Sequence, residues 1–393
     1  MDHHTSSTLE EILARLPGLT EAVRESRDIL LGNLVMLGEI PSPTFQEEER
    51  IGFLMQRLGE CGLQNCSTDE VGNGVGLLPG TEGQSSILLV AHADTIFGPK
   101  VDHTVSVESE SVTGPGVGDN SLGLALLATL PTLLESLDLS FKSNLLLLGG
   151  VRSLDRGDIE GLRFFLGNNN MPIHTGICVE GVQLGRLSYS SIGMLRGEIT
   201  CSIPEQYDWT RFGASSAIAT LNEIITRIQE IPIPRRPKSH IFLGSVHGGG
   251  SFNTIARTAT LRFEIRSESE DIVCDIAEQM EDLTAEISAE AGVDVKLDVF
   301  ARRSPGGITF RHPLPATARA VLEELDIKPM LGPSTSELSA FIDRQIPAIT
   351  LGLTRGANLN DTDETIYIEP LFKGLAQLLA ILMAVDRGCC NDD

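Results

Sequence analysis

Positive charge is scarce in this chain. Its 393 residues carry 30 Lys and Arg against 54 Asp and Glu, a net charge of −24. Such a chain repels phosphate backbones and anionic lipid, which argues against nucleic-acid and membrane-surface binding. Cysteine is sparse: seven residues, at 61, 66, 178, 201, 274, 389 and 390, with no Cys-x-x-Cys pair. An odd set without that spacing argues against a disulfide framework or a thiolate zinc cluster, and points to reduced cytosolic thiols. The first residues, MDHHTSSTLEEILARL, have neither the basic nor the apolar region of a signal peptide. The longest uncharged stretch, Asn120 to Leu134, is too short to span a bilayer and contains Pro131. There is no internal repeat, and the 39 Gly and 19 Pro follow no period. The expectation is a soluble, cytoplasmic protein.

What is present is enough apolar residue, 41%, to bury a core, in a chain long enough for two domains. Residues 8–38 read as helix with an interruption at Pro17, since Leu9, Ile12, Leu13 and Leu16 share one face. Apolar runs at Ile87 to Ala91 and Asn144 to Leu148 read as strands covered on both faces. They alternate with helical segments at 122–137 and 158–166, then a strand at 175–179, the pattern of an α/β domain. From residue 192 the order changes to strand, helix, strand, strand, helix, strand. That is the βαββαβ pattern of a ferredoxin-like domain. The α/β pattern returns with a helix at 314–325, a strand in AITLGL and a helix at 370–386. The expected architecture is a mostly parallel α/β domain, 1–191 and 307–393, with 192–306 inserted.

Three short segments carry the chemistry. LLVAHADTIF ends a buried strand in His92-x-Asp94. His92 can ligate a metal through one ring nitrogen while Asp94 bonds the other and sets its tautomer. GPGVGDNSLGLALL crowds glycines around Asp119 just before a helix, and ICVEG places Glu180 after another buried strand. Taken singly these read as a strand-end turn, a helix cap and a loop carboxylate. Taken together, His92, Asp119 and Glu180 at strand ends make a nitrogen-and-oxygen site for zinc or a similar ion.

The same segments, with GGGSFNTIA and NDTDETIYIEPLFKGL, resemble the zinc-dependent aminoacylase, acetylornithine deacetylase and peptidase T family over nearly the whole chain. The resemblance implies a zinc-exopeptidase-like α/β domain with a lid inserted at 192–306 that pairs into a homodimer. The stripe Ile218, Leu221, Ile225 and Ile228 is a candidate for that pairing or for covering the lid sheet. The resemblance also implies two metals bridged by Asp119, with His92 and Glu180 holding one of them and Asp94 behind His92. It implies a cis peptide at Asp119–Asn120 and a substrate-contacting Asn253. Ser334 and Thr335 are weaker substrate candidates.

The departures from that family fall in one place. Gly157, Asp158 and Gly161 set a register that puts Ser153 where the general base, a Glu, stands, and Leu154 where the next Glu ligates the second metal. Asn360 stands where a His completes that second site, and Tyr207 where a His stabilises the oxyanion. Leu154 and Asn360 together remove one metal position. The expectation is at most one zinc ion, held weakly enough to be lost on purification. Two functions follow. One is amide hydrolysis of a small peptide or N-acyl amino acid with a substitute base such as Asp155, Asp361 or Asp363. The other is a binding or regulatory protein on the same scaffold, without catalysis.

Overall fold

The computed structural model describes residues 3–204 and 216–391. Two compact units divide the chain: one runs to Ser191 and resumes at Gly307, and the other is Ile192–Gly306.

The first unit begins with α1 (His3–Ala22) and α2 (Arg27–Gly38), joined by the 3-10 turn Val23–Ser26. The helix runs through Pro17 and breaks only at that turn. One proline removes one backbone bond, and burial of Ile12, Leu16, Leu19 and Val23 in the core offsets the loss. Next come α3 (Glu48–Glu60), β1 (Gln64–Thr68), β2 (Gly74–Leu78) and β3 (Ser86–His92). They are followed by α4 (Leu122–Ser136), β4 (Asn144–Gly150), α5 (Glu160–Asn168), β5 (Ile173–Val182) and β6 (Arg186–Ser188).

The second unit contains β7 (Gly193–Ser202), α6 (Ala217–Glu230), β8 (Ser239–Gly248), β9 (Thr258–Ser267), α7 (Glu270–Ala291) and β10 (Asp294–Arg303). Its sheet runs β8-β9-β7-β10 with every pair antiparallel. Leu221 and Ile228 of α6 lie in this unit's core and Ile225 packs against it, while Ile218 is exposed. So most of that helix's apolar stripe covers its own sheet. The edge strand β8 leaves Phe242 and Val246 exposed.

The chain then returns to the first unit as α8 (Pro313–Glu324), β11 (Met330–Leu331), α9 (Leu338–Asp343), β12 (Ala348–Thr354) and α10 (Ile368–Asp386). The large sheet has the order β1-β2-β4-β3-β5-β12-β6-β11. Its centre, β4-β3-β5-β12, is parallel, and β1, β2 and β6 pair antiparallel toward the edges. Every residue of β3, β4 and β12 is buried, as strands covered on both faces require. A small sheet of Ser106–Val107, Ser111–Thr113, Gly356–Ala357 and Thr365–Tyr367 lies in the same unit.

Val117–Ser136 and Ile368–Asp386 are long and apolar enough to cross a membrane, but 89% and 78% of their apolar windows are buried inside the fold. They are core helices. Cys389 and Cys390 are buried against that core rather than lying in a free tail. His103 is buried too, with Nε2 3.2 Å from the Gly98 carbonyl. His312 caps α8, its Nδ1 accepting from the Leu314 N–H at 3.1 Å.

Candidate metal centre

The carboxyl ends of parallel central strands open a crevice where α/β folds bind ligands. His92 is the last residue of β3, and Glu180 lies near the end of its neighbour β5. Asp119 arrives from the loop before α4, through the glycine-rich turn. Gly116 sits there at φ +66, a left-handed position that suits glycine. Gly181 of β5 lets that turn approach: a Cβ on it would fall 2.2 Å from the Gly118 carbonyl oxygen. The Asp119–Asn120 peptide is cis. Asn120 bridges the elements, with Nδ2 donating to Val179 O at 2.8 Å and Oδ1 accepting from Gly181 N at 3.0 Å.

The result is a group of three donors. One ligand atom each from His92, Asp119 and Glu180 lie within 4.8 Å of one another. His92 Nδ1 donates to the Asp94 carbonyl at 2.9 Å, with Asp94 Oδ1 at 3.4 Å. A carbonyl oxygen only accepts, so Nδ1 carries a proton and Nε2 faces the other donors, the orientation a ligating His needs. Nε2 lies 3.0 Å from Asp119 Oδ1. Burial disfavours a charged His92, but the bonds to Asp119 and Asp94 and the nearby Glu337 outweigh it and hold the imidazole well above its ordinary range. Burial also pushes Asp119 up, but His92 and Arg186 outweigh it and leave that carboxyl below its ordinary range. Glu180, 6% exposed, is pushed up to about 7 by burial, against the pull of Arg186 and with the push of Asp119.

Asp94 is wholly buried. Its Oδ2 accepts from Thr44 Oγ1 at 2.8 Å, Ser153 N at 3.0 Å and Leu154 N at 2.8 Å. The backbone of Ser153 and Leu154 is therefore tied to the group that orients His92. Beneath it Arg50, 1% exposed, donates to Ala93 O at 3.1 Å, Ser121 Oγ at 3.2 Å and Ile40 O at 2.6 Å. Burial lowers this guanidinium to about 10, against the attraction of Asp94.

The donor chemistry fits one ion. Among the described residues, His92, Asp119 and Glu180 form the one group with ligand geometry. Of the two positions that the resemblance gives to a second ion, Leu154 has no donor atom and Asn360 is exposed at φ +66 in a loop.

Residues 211–292 match a peptidase dimerisation domain. No curated protein matches the sequence. Among solved structures, a Staphylococcus aureus tripeptidase aligns over 92% of this chain and 99% of its own, at 19% identity and TM-score 0.71. The Saccharomyces cerevisiae dipeptidase Dug1p aligns over 95% and 98%, at 12% identity and TM-score 0.76. YXEP of Bacillus subtilis, described as a dinuclear metal-binding peptidase of the M20 family, aligns over 92% and 98%, at 16% identity and TM-score 0.63.

This chain shares the fold of these solved peptidases. Its large α/β unit and inserted βαββαβ unit have the architecture that the resemblance implies. Of the residues singled out from the sequence, His92, Asp94, Asp119, Glu180, Ser153 and Leu154 gather at the strand ends of this M20-like sheet. Asn360 is exposed, and so are Asp155, Asp361 and Asp363. Asp363 Oδ2 accepts from Asn358 Nδ2 at 2.9 Å, a bond within its own loop. Tyr207 lies outside the described residues. Asn253, in the second unit, accepts from Ser251 Oγ at 2.8 Å and is exposed. Ser334 is buried and bonded to Ser336 Oγ at 2.7 Å, and Thr335 is half-buried. His247 is exposed on β8.

Sequence reasoning missed four charged groups. Glu337, 3% exposed, acts on both His92 and Glu180. It belongs to STSELSA, a segment in which only the hydroxyls drew notice. Glu364 is wholly buried, and neither of its oxygens has a hydrogen bond of good geometry. Burial and Asp119 push it up to about 8, and the N–H groups of Gly118, Asp119 and Gly116 offset this only in part. Its signal was present in NDTDE, where it follows Asn360. Arg50 and Arg186 gave no sequence signal.

Proposed function

We propose that the chain is a one-metal amide hydrolase that acts slowly on a small peptide or an N-acylated amino acid. The convergence of His92, Asp119 and Glu180 donors within 4.8 Å carries this reading. These three residues would hold the ion, with zinc the simplest match to one nitrogen and two carboxylates, and the bound ion would supply Lewis acidity toward the scissile carbonyl. The chain's own residues do the rest. Asp94 fixes the His92 ring so that Nε2 faces the Asp119 and Glu180 carboxylates. Asp119 Oδ1 lies 3.0 Å from His92 Nε2, so the carboxylate and the ring nitrogen that would ligate stand side by side. Ser153 stands in the base position, but a hydroxyl is a far poorer base than a carboxylate, and a missing base costs about 10²–10⁴ in rate. Tyr207 is assigned to the oxyanion and Asn253 to the substrate, both from the resemblance. We place the protein in the cytoplasm as a homodimer through 192–306, where the exposed Phe242 and Val246 of edge strand β8 offer an apolar patch.

A second reading, binding or regulation without turnover, is favoured by Leu154. Its N–H bonds Asp94 at 2.8 Å, which holds close to the centre a residue that the resemblance assigns to a ligand position and that has no donor atom in its side chain. The experiment is calorimetric zinc titration of the full chain and of His92→Ala, with a hydrolysis screen on dipeptides and N-acetyl amino acids. One ion per chain, with hydrolysis lost in His92→Ala, supports the first reading. One ion without turnover supports the second, and two ions would overturn the assignments of Leu154 and Asn360. A monomer by light scattering at micromolar concentration would refute the homodimer.

A further inference from the structure

Arg186 is a charged group beside the donors to which the one-metal reading gives no role. It follows a sharp turn. Gly185 sits at φ +96, and a Cβ there would fall 2.8 Å from the Lys328 carbonyl oxygen. The Arg186 N–H bonds Gln183 O at 2.9 Å and Met330 N–H bonds Gly185 O at 2.8 Å, which fixes the start of β6 against β11. From this anchored position the Arg186 side chain reaches back along β5, and its Nη1 lies 3.7 Å from Glu180 Oε1. Among the described residues it is the one Arg or Lys in ion-pair range of Glu180. It also attracts the Asp119 carboxylate. Glu180's side chain is 9% exposed and Arg186's 32%, so the pair sits at the mouth of the donor group with its acidic member inside.

We propose that Arg186 is a built-in competitor for the metal ion, its guanidinium supplying Glu180 and Asp119 with the positive charge that a bound ion would otherwise supply. The proposal rests on reading His92, Asp119 and Glu180 as an ion site. Asp119, Glu180 and the buried Glu337 concentrate negative charge against one imidazole. A carboxylate neutralised by a fixed cation is a weaker ligand, and a second cation entering beside a guanidinium is repelled by it. Two unit charges a few ångströms apart near a protein surface interact strongly enough to change an affinity by orders of magnitude. With the guanidinium one-third exposed and partly screened, the expected effect is about ten- to a hundredfold. Arg186 thus keeps the site's affinity low and allows it to fill only where the ion is plentiful.

The test is zinc titration by calorimetry on the full chain and on Arg186→Met, Arg186→Gln and Arg186→Lys, each checked for a cooperative thermal transition. Arg186→Met should lower the zinc Kd about ten- to a hundredfold, with Arg186→Gln carrying the test if the Met variant does not fold. Arg186→Lys keeps the charge and should stay within about threefold of the parent. Adding His92→Ala to the tight variant should abolish binding. If the neutral variants bind no more tightly than the parent, or the Lys and Met variants change alike, Arg186 is not a charge competitor. If tight binding survives His92→Ala, the ion sits elsewhere and the proposal fails. Parent binding with no response to Arg186→Met sinks this inference alone. If neither the parent nor the neutral variants bind at millimolar zinc, the one-metal reading fails with it.

Discussion

Replacing Asp94 with Asn tests how much of the centre hangs on one buried carboxylate. The change keeps the shape and removes the charge. Asp94 Oδ2 accepts from Thr44 Oγ1, Ser153 N and Leu154 N, at 2.8, 3.0 and 2.8 Å. Hydrogen bonds to a charged group contribute about 1.5–3 kcal/mol each, against about 0.5–1.5 for neutral ones. If the amide oxygen keeps these three bonds, each weakens by about 1 kcal/mol, roughly 3 kcal/mol in all. The amide nitrogen then occupies the Oδ1 position, 3.4 Å from His92 Nδ1. An NH₂ there removes the negative charge that makes the imidazole a stronger donor, while the Nδ1–H keeps its bond to the residue 94 backbone carbonyl at 2.9 Å and with it the tautomer. If the amide flips instead, its NH₂ faces three donors and the loss in stability is larger. Asp94→Asn should therefore lose about 2–4 kcal/mol in urea unfolding, and zinc affinity should fall about 10–100-fold. A folded variant within about 0.5 kcal/mol of the parent, with unchanged zinc affinity, would refute the role given to Asp94.

Without added metal, stability should fall as the pH rises from about 5 to 8.5. Glu180 and Glu364 are raised from 4.5 to about 7 and about 8, so the folded chain binds protons that the unfolded chain has released. That stabilisation is complete below the unfolded value and is lost as pH climbs through the folded ones. For wholly buried Glu364 it amounts to at most roughly 5 kcal/mol, and a rising urea midpoint over this range would contradict it. Restoring the family pattern with Ser153→Glu, Leu154→Glu and Asn360→His should raise zinc stoichiometry from one toward two by elemental analysis. Unchanged stoichiometry in a folded variant would mean that these positions do not face the centre. Gly181→Ala should cost about 3 kcal/mol or more in thermal unfolding, because its Cβ would sit 2.2 Å from a backbone oxygen that cannot move freely.

The large-scale organisation was legible in the sequence because it rests on period and polarity. Buried strands such as β3 and β4 are continuous apolar runs, and α6 and α7 are amphipathic segments that bury one face on their own sheet. The helix through Pro17 was misread because local propensity names a breaker, whereas packing of Leu16 and Leu19 decides whether the helix breaks. The burial of Cys389, Cys390 and His103 has no local sequence mark for a related reason: a residue's burial near a chain end or in a loop depends on what folds over it. His92, Asp94, Asp119 and Glu180 could be found in the sequence because each stands at a strand end or a glycine-crowded turn whose local pattern marks it. What the tertiary structure alone decided is the electrostatics around them. Arg50, Arg186, Glu337 and Glu364 come from distant segments and carry no local signature. Their effect depends on distance and burial, as with the 3.7 Å between Arg186 and Glu180. A charge's influence falls with separation in space, and separation along the chain does not report it.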